Sequence, residues 1–190
     1  MRVLSVISSL SVKNGGPPEV LKNHLEVINK QKKIISVFRT DNITLYFLVK
    51  CLLNIKLKKK FKKFLKKYDL IHFHEIWSLK NIIIIYFARK LLCKYLFVGH
   101  GHFDQWSLRQ SSIKKKIFIN VFLKSALKSA SAIFFSNIEE LEDAKKNFRL
   151  KNVFIIPNGI NISRFKNSNK NLIHRKKIVF FGRIHKKKGI

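Results

Sequence analysis

The stretch Tyr95-Leu96-Phe97-Val98-Gly99-His100-Gly101-His102-Phe103-Asp104-Gln105-Trp106 decides the fold that we predict for this chain. Its first four residues form a short apolar run, which stops at two glycines that alternate with two histidines. A parallel strand delivers functional groups to the carboxyl edge of an open sheet in this way. Glycine at that point lets the backbone turn sharply and lets a ligand approach closely. The competing interpretation is a plain strand end with a turn and two solvated histidines.

A second apolar run with a similar ending lies upstream of this stretch. Residues 69–74 read Asp-Leu-Ile-His-Phe-His, and Glu75, Ile76 and Trp77 follow them. A mostly apolar run of this length is typical of a central parallel strand. Alternate side chains of a strand lie on one face, so His72 and His74 are expected on the same side.

Strand and helix patterns alternate along the whole chain. The predicted strands are residues 3–7, 33–38, 69–74, 95–99, 132–135, 153–156 and 178–181. Apolar residues at helical spacing predict helices between them. This order predicts an α/β fold with a Rossmann-like open parallel sheet, right-handed crossovers and helices on both faces.

Two of the predicted helices carry detailed expectations. Residues 113–130 are predicted to be helical with a wide apolar stripe, made of Ile113, Ile117, Phe118, Val121 and Phe122. Ser136 and Glu139 have the spacing of a capping box, which predicts the start of the next helix. The inner face of that helix is predicted to be Leu141, Ala144 and Phe148.

The glycine pair after the first predicted strand indicates a loop that leads into a helix. Gly15 and Gly16 precede Pro17 and Pro18, and proline is well tolerated in the first turn of a helix. Backbone amides at a helix start form a natural anion site. An ordinary turn is an equally good interpretation of this motif taken alone.

Charge is the most unusual property of the composition. The 190 residues include 40 Lys and Arg against 10 Asp and Glu, a net charge of +30. Such a chain is expected to meet anions, whether nucleic acid, anionic lipid or a phosphorylated substrate. A coding bias toward Lys, Ile, Asn and Phe is the alternative origin of the charge. The two cysteines, Cys51 and Cys93, fit no metal spacing and are expected to be reduced core thiols in a cytoplasmic protein.

Membrane spans are not predicted. The apolar run at residues 3–7 is too short for a signal peptide. The most apolar region, residues 81–92, is broken by Arg89 and Lys90 and is shorter than the roughly 18 residues a spanning helix needs. We expect a cytoplasmic protein that is soluble or peripheral on the inner face of the cell membrane.

A strongly basic helix is predicted in the second half of residues 42–68, a helical region in one or two pieces. Its apolar face is Leu57, Phe61, Phe64, Leu65 and Tyr68, and lysines fill the opposite face. We expect the apolar face to pack on the sheet and the lysines to give weak, salt-sensitive binding to anionic membranes.

The end of the sequence indicates a second domain. Residues 161–176 are polar and indicate a linker, after which another strand and loop begin. We expect an amino-terminal domain over residues 1–171 and the beginning of another domain over 172–190. The chain is accordingly interpreted as a fragment.

Together these motifs resemble the two-domain, GT-B-fold glycosyltransferases of family 4, those of bacterial surface-polysaccharide synthesis. The resemblance covers nearly the whole chain. It rests on Gly15-Gly16-Pro17, residues 69–77, His100 to Trp106, Ser136 to Glu140, Ile156-Pro157-Asn158-Gly159-Ile160, and Phe181-Gly182-Arg183 with Lys188-Gly189. It departs from the family at Gln105, where proline is often found, and it lacks the paired glutamates of the donor domain.

The resemblance implies a role for each motif. His100 matches the histidine near the transferring sugar and is the predicted catalytic residue. The predicted donor-binding residues are Gly15, Gly16, Asn158, Arg183 and Lys188. The predicted acceptor-binding residues are His74, Glu75, Trp77, His102, Asp104 and Trp106. The implied partners are a nucleotide-sugar donor and a saccharide or lipid-linked acceptor, with no metal or other cofactor, and the chain alone is expected to be inactive.

Two other functions compete with this interpretation. A basic α/β domain binds phosphate backbones non-specifically, although the lysines are spread over several surfaces and no specific nucleic-acid motif is present. A zinc hydrolase is a weaker alternative, because His72 and His74 could meet His100 and His102 at neighbouring strand ends. Carboxylate ligands for such a site are scarce.

Overall fold

A computed structural model describes residues 1–11, 16–30, 34–109, 113–159, 179–180 and 184. The chain divides into two compact units, Met1–Ile160 and Asn161–Ile190. In the second unit only Val179, Phe180 and Ile184 are described, and all three are exposed. Of the strand predicted at 178–181, Val179 and Phe180 are described and are not in a strand, and the other two residues lie outside the described residues. The domain boundary near residue 171 stays a prediction.

The first unit is a six-stranded sheet in which every pairing is parallel, in the order β2-β1-β3-β4-β5-β6. Its strands are β1 (Arg2–Ile7), β2 (Ile34–Arg39), β3 (Leu70–Phe73), β4 (Lys94–Val98), β5 (Ala132–Phe135) and β6 (Val153–Ile155). The α/β, Rossmann-like prediction is confirmed, and every strand predicted within this unit is present to within a residue or two.

Among the described residues, eight α-helices connect the strands. They are α1 (Gly16–Lys30), α2 (Leu45–Leu53), α3 (Ile55–Leu65), α4 (Leu79–Lys90), α5 (Gln105–Arg109), α6 (Ile113–Phe118), α7 (Lys124–Lys128) and α8 (Ile138–Asn147). A π-helical segment, Ile119–Leu123, joins α6 to α7. The region predicted at 42–68 is indeed two helices. Asn54 separates them, and its side chain caps α3 by accepting a hydrogen bond from the Leu57 amide at 3.1 Å.

Helices cover both faces of the sheet. Leu4 and Val6 of β1 belong to the main core. Val3 and Ile7, also of β1, are buried outside that core, as is Leu21 of α1. Alternate strand residues point to opposite faces, so α1 packs on the face opposite the main core. In the strand order, β2 lies on one side of β1 and all later strands lie on the other side. Because crossovers are right-handed, the helix between β1 and β2 therefore lies on the opposite face of the sheet from the helices of the later connections.

The apolar face of α3 is buried, as the sequence predicts. Phe61 and Leu65 lie in the core, and Leu57, Phe64 and Tyr68 pack against it. Phe61 also meets Phe87 of α4 edge to face, with ring centroids 5.1 Å apart. The lysines of α3 therefore remain outside while its apolar side chains are occupied within the protein.

The helix predicted on residues 113–130 is confirmed over 113–128, but its predicted apolar stripe is not one buried face. Ile113, Ile117 and Val121 are exposed, Phe118 packs against the core, and Leu123, Ala126, Leu127 and Ala130 are buried in it. The wider turn of the π-helical segment changes which of the later positions face inward relative to a regular α-helix.

The predicted capping box is also wrong, by one residue. The cap of α8 is Asn137, whose Oδ1 accepts a hydrogen bond from the Glu140 amide at 2.8 Å. Ser136 and Glu139 are not the pair that closes the helix start. The predicted inner face of Leu141, Ala144 and Phe148 is buried and is confirmed.

Candidate active site

The carboxyl ends of the central strands meet at one edge of the sheet. β3 continues past Phe73, because the His74 amide donates to the Val6 carbonyl at 3.0 Å. β4 continues past Val98, because the Gly99 amide donates to the Phe134 carbonyl at 2.8 Å. These bonds extend β3 along β1 and β4 along β5, and since β3 pairs with β4, the residues that follow the two strands lie at the same edge, as the sequence predicts for His74 and His100.

Two of the predicted site residues touch at this edge. Nδ1 of His74 and Nε2 of His100 are 3.2 Å apart, a hydrogen bond whose donor depends on the tautomers. The two rings are nearly parallel, with centroids 5.5 Å apart. His72 stacks below, 4.1 Å from the His74 ring, so His72 and His74 do share one side of β3.

Burial keeps these imidazoles neutral. Desolvation lowers the pKa of His72 to about 3 and that of His100 to about 4, and neighbouring histidine charges lower both further. Desolvation also holds the pKa of His74 well below its usual value. At neutral pH the pair therefore shares one ring proton in a neutral hydrogen bond. Nε2 of His74 is buried with no hydrogen-bond partner among the described residues.

His24 joins this cluster from α1, where the sequence shows it only as one position in the helical spacing Leu21, His24, Leu25 and Ile28. Burial lowers its pKa, and its charge disfavours protonation of His72, His74 and His100. The only signal in the sequence for a role of His24 is a polar residue within this apolar spacing. That signal does not show which strand α1 covers, so it could not place His24 beside His72 and His74.

The turn after β4 has a left-handed backbone. His100 has φ 48° and Gly101 has φ 76°, and the His102 amide closes the turn on the Gly99 carbonyl at 2.9 Å. Positive φ is uncommon for a residue other than glycine, and such conformations concentrate at functional sites. The backbone at His100 thus carries local strain that the surrounding contacts maintain.

Glu140 of α8 supports this turn from below. Its side chain is buried, and Oε1 accepts a hydrogen bond from the Phe103 amide at 3.4 Å. Desolvation raises its pKa, while hydrogen bonds from the Phe103, Ser136 and Gly101 amides oppose that rise. The sequence placed Glu140 in a matching motif but gave it no role, because only the fold brings α8 under the β4 turn.

Glu75 and Trp77, two predicted acceptor residues, follow β3 at the same edge. The Ser8 hydroxyl donates to Oε1 of Glu75, which ties the end of β1 to the end of β3. Trp77 packs on Phe118 with ring centroids 6.1 Å apart, and Nζ of Lys115 lies 4.1 Å from the centre of its ring. Both residues therefore have structural partners in addition to their predicted role.

Asp104, His102 and Trp106 lie in the loop and helix that follow His100. Oδ1 of Asp104 accepts the Ser107 amide at 2.7 Å and so caps α5. His102 and Trp106 are half-buried. Three predicted acceptor residues thus follow His100 within six residues, and one of them, Asp104, also stabilises α5.

The predicted donor residues are less well placed by the described structure. Gly16 begins α1, and no atom lies within 4 Å of the position a Cβ would occupy there. Asn158 is exposed and follows β6, two strands away from β4. Gly15, Arg183 and Lys188 lie outside the described residues.

The geometry does not support a metal centre among the described residues. No group of three or more His, Cys, Asp or Glu side chains in that part of the chain is arranged to hold an ion. The ring nitrogens of His74 and His100 that approach each other are joined by a hydrogen bond. The approach of His74 to His100 therefore does not support the zinc hydrolase interpretation.

In open α/β sheets, ligands bind in the crevice beyond the carboxyl ends of the strands, which is where the His74–His100 pair lies. The model of the family "Glycosyltransferase Family 4" matches residues 16–164, about three quarters of the chain. The chain belongs to this family.

Solved structures show the same fold. Two crystal structures of Anabaena HepE, one in complex with UDP and glucose and the other with UDP-glucose, each align with a TM-score of 0.58 and 18% identity. The alignments cover 89% of this chain and 47% of HepE, so the chain spans about half the length of these relatives. No curated protein sequence matches the chain.

Proposed function

We propose that this chain provides the acceptor-side half of a glycosyltransferase that takes a sugar from a nucleotide-sugar donor. The observation that carries the proposal is the His74–His100 pair, 3.2 Å apart at the carboxyl edge of the sheet in a family 4 chain. HepE, which shares the fold, binds UDP-glucose in its crystal structure. We extend a donor of this kind, a nucleotide-sugar, to the present chain.

His100 is proposed to orient the transferring sugar. With a pKa of about 4 its ring is neutral at physiological pH, so it offers a hydrogen bond and no charge. Its Nε2 is engaged by His74, which leaves Nδ1 for a hydroxyl of the sugar. A neutral ring held in one orientation positions a substrate with little loss of entropy at the moment of reaction.

The departing nucleoside diphosphate needs separate stabilisation, because it gains negative charge in the transition state. Preorganised cations and backbone amides stabilise such charge effectively in a site from which water is excluded. We propose that the amino terminus of α1, with Gly15 and Gly16, supplies amides and that Arg183 and Lys188 supply the cations. In this scheme fixed protein charges take the role that a metal ion has in other transferases.

The proposed acceptor is a saccharide or a lipid-linked saccharide of cell-surface polysaccharide synthesis. We propose that the acceptor is held by Glu75, Trp77, His102, Asp104 and Trp106, which follow β3 and β4 in the sequence and have hydrogen-bonding groups and apolar rings. The proposed location is the cytoplasm, with contact to the inner face of the membrane. In the described part of the chain, no helix is long and apolar enough to cross a bilayer.

Ligand-detected NMR tests the proposed site directly. Saturation transfer from the 190-residue chain to a panel of oligosaccharides and to UDP-glucose identifies any sugar that binds. His100→Ala is expected to abolish the transfer, because it removes the ring that contacts the sugar. Ile138→Ala, an exposed position at the start of α8, is the control and is expected to retain it. Binding that survives His100→Ala unchanged contradicts the placement of the site.

Turnover is a separate measurement. Most donor contacts are expected from a donor domain, so the purified chain should release no UDP from UDP-glucose above a heat-inactivated control, with or without saccharide. Release of UDP would show that the chain is sufficient for catalysis, which would refute the expected inactivity and strengthen the transferase assignment.

A further inference from the structure

One surface of the first unit combines exposed apolar side chains with basic ones. The helical stretch 113–128 has two apolar sides, of which the inner one, with Leu123 and Leu127, is buried in the core. The outer side carries Ile113, Ile117 and Val121, one helical turn apart, and all three are exposed. Large contiguous exposed apolar patches on a soluble domain mark interaction sites.

The outer stripe continues into an open cavity between helices. The cavity has a volume of about 810 Å³, and its apolar walls come from Leu52 of α2, from Ile82, Ile83 and Tyr86 of α4, and from Val121 and Phe122. On α2, Leu45, Val49 and Leu53 are exposed beside Leu52 at helical spacing. α2, α4 and the stretch 113–128 thus form one continuous surface, which we call the apolar-basic face.

The charge near this face is of one sign, because α2, α4 and the stretch 113–128 contain no Asp or Glu. Arg89 and Lys90 line the cavity, and Nη1 of Arg89 donates to the Ser125 hydroxyl at 3.0 Å and joins α4 to α7. Lys50 and Lys114 are exposed on α2 and on the stretch 113–128. The other basic residues of these segments lie elsewhere: the Thr40 and Ser107 carbonyls accept from Lys80 and Lys115, and other cavities are lined by Lys116, Lys124 and Lys128. Exposed apolar side chains beside lysine and arginine complement an anionic lipid surface, where the apolar groups enter the acyl boundary and the cations meet headgroups.

We propose that the apolar-basic face docks on an anionic bilayer, with Ile117 and Val121 inserted at the interface. This occupant is favoured over a second copy of the chain, because a symmetric contact would bring two surfaces of positive charge together. The surface differs from the lysine-rich face of α3. There the apolar side chains, Phe61 and Leu65, are buried in the core, so α3 attracts headgroups by charge alone.

The inference goes beyond sugar transfer and needs neither donor nor acceptor, so its test uses vesicles without glycolipid. Co-sedimentation of the whole chain is measured with mixed phosphatidylglycerol and phosphatidylcholine vesicles at low salt, and with phosphatidylcholine alone. Binding is expected only to the anionic vesicles. Ile117→Asn with Val121→Asn is expected to weaken it by about tenfold or more, because two half-exposed aliphatic side chains lose their insertion.

A closely matched control is available in the same chain. Ile138 and Val27 are 50% and 56% exposed, against 54% and 58% for Ile117 and Val121, and they lie on α8 and α1. Ile138→Asn with Val27→Asn removes the same kinds of side chain at the same exposure from outside the apolar-basic face. It is expected to leave vesicle binding unchanged, and circular dichroism should show that both double variants are folded.

The alternatives give different results. Equal losses from the two pairs, or no loss from either, would show that diffuse charge binds the vesicles and would overturn the proposal. So would an absence of binding to anionic vesicles, or equal binding to neutral ones. A dimer in size-exclusion chromatography that the Ile117 and Val121 variant dissociates would identify a second copy as the occupant.

The lysines of α3 provide the last comparison. Reversing Lys59, Lys62, Lys63 and Lys66 to Glu is expected to weaken binding and not to abolish it, because the apolar-basic face is left intact. Complete loss in this variant, with full binding by the Ile117 and Val121 variant, would assign the membrane contact to α3 and overturn the proposal.

Discussion

Replacing Gly99 by Ala tests how closely the β4 turn fits its support. A Cβ added at Gly99 would lie 2.5 Å from Oε1 and 2.9 Å from Cδ of Glu140. Gly99 has no positive φ, so the backbone accepts alanine without strain. Alanine also lowers the conformational entropy of the unfolded chain, which by itself would stabilise the folded protein by about 0.4–1 kcal/mol. The whole cost therefore comes from displacing the Glu140 carboxylate.

The magnitude follows from what the carboxylate must give up. Moving it weakens the hydrogen bond that it accepts from the Phe103 amide, and a buried polar group left unsatisfied costs about 1–3 kcal/mol. Overpacking of a buried site costs about 1–3 kcal/mol. The lower entropy of the unfolded chain offsets part of these costs. Gly99→Ala should therefore lower the free energy of unfolding by about 2 kcal/mol, as measured by urea denaturation followed by circular dichroism at pH 7.

A double-mutant cycle assigns the cost to this contact. Glu140→Asp shortens the side chain and makes room for the new methyl group, so the double variant should be more stable than the sum of the single effects by about 1 kcal/mol or more. Gly16→Ala is the control, because nothing lies within 4 Å of its Cβ position, and it should change stability little. Wild-type stability for Gly99→Ala, or strict additivity with Glu140→Asp, would refute the reasoning.

Further expectations concern the buried histidines, the α8 cap and the core. The folded-state pKa of the buried His72 lies below its unfolded value, so its contribution to the free energy of unfolding is complete above about pH 6.5 and is lost as pH falls toward about 3. His72→Phe should reduce that slope by about 1.4 kcal/mol per pH unit, and an unchanged slope in acid urea titrations would contradict its neutral state. Asn137→Ala should cost about 1 kcal/mol and Ser136→Ala much less, and the reverse order in thermal unfolding would restore the capping box. Tyr95→Phe should cost about 1–3 kcal/mol, because it removes the donor to the Ala126 carbonyl at 2.7 Å; an unaltered urea midpoint would show that bond to be dispensable.

The sequence by itself determined the sheet. Short apolar runs, each ended by glycine or polar residues and separated by helical patterns, specify an alternating α/β chain, because burial on both faces of a parallel sheet requires such runs. The topology then brings His74 and His100 to one edge without further information, because the carboxyl ends of parallel strands lie together. Family membership was also readable from the motifs that follow the strands.

Local pattern was insufficient where two helical solutions bury different faces. Ile113, Ile117 and Val121 have the spacing of an inner stripe, yet the π-helical segment turns Leu123 and Leu127 inward and leaves the first set exposed. Both stripes are apolar, so only the shape of the available core decides between them. The same holds for the cap of α8, where Ser136 and Asn137 both have capping side chains and the direction of the chain leaving β5 selects Asn137.

Only the tertiary structure decided the environment of the site. His24 and Glu140 are far from the β4 turn in sequence, and helix packing brings one beside the histidine pair and the other beneath Gly99. The low pKa of His100 likewise comes first from burial, then from the adjacent His102 and from the distant His24, and only the completed fold supplies the burial and His24. The physical reason is range: periodicity and turn chemistry act over a few residues, whereas desolvation and close contact depend on which distant segments the completed fold brings together.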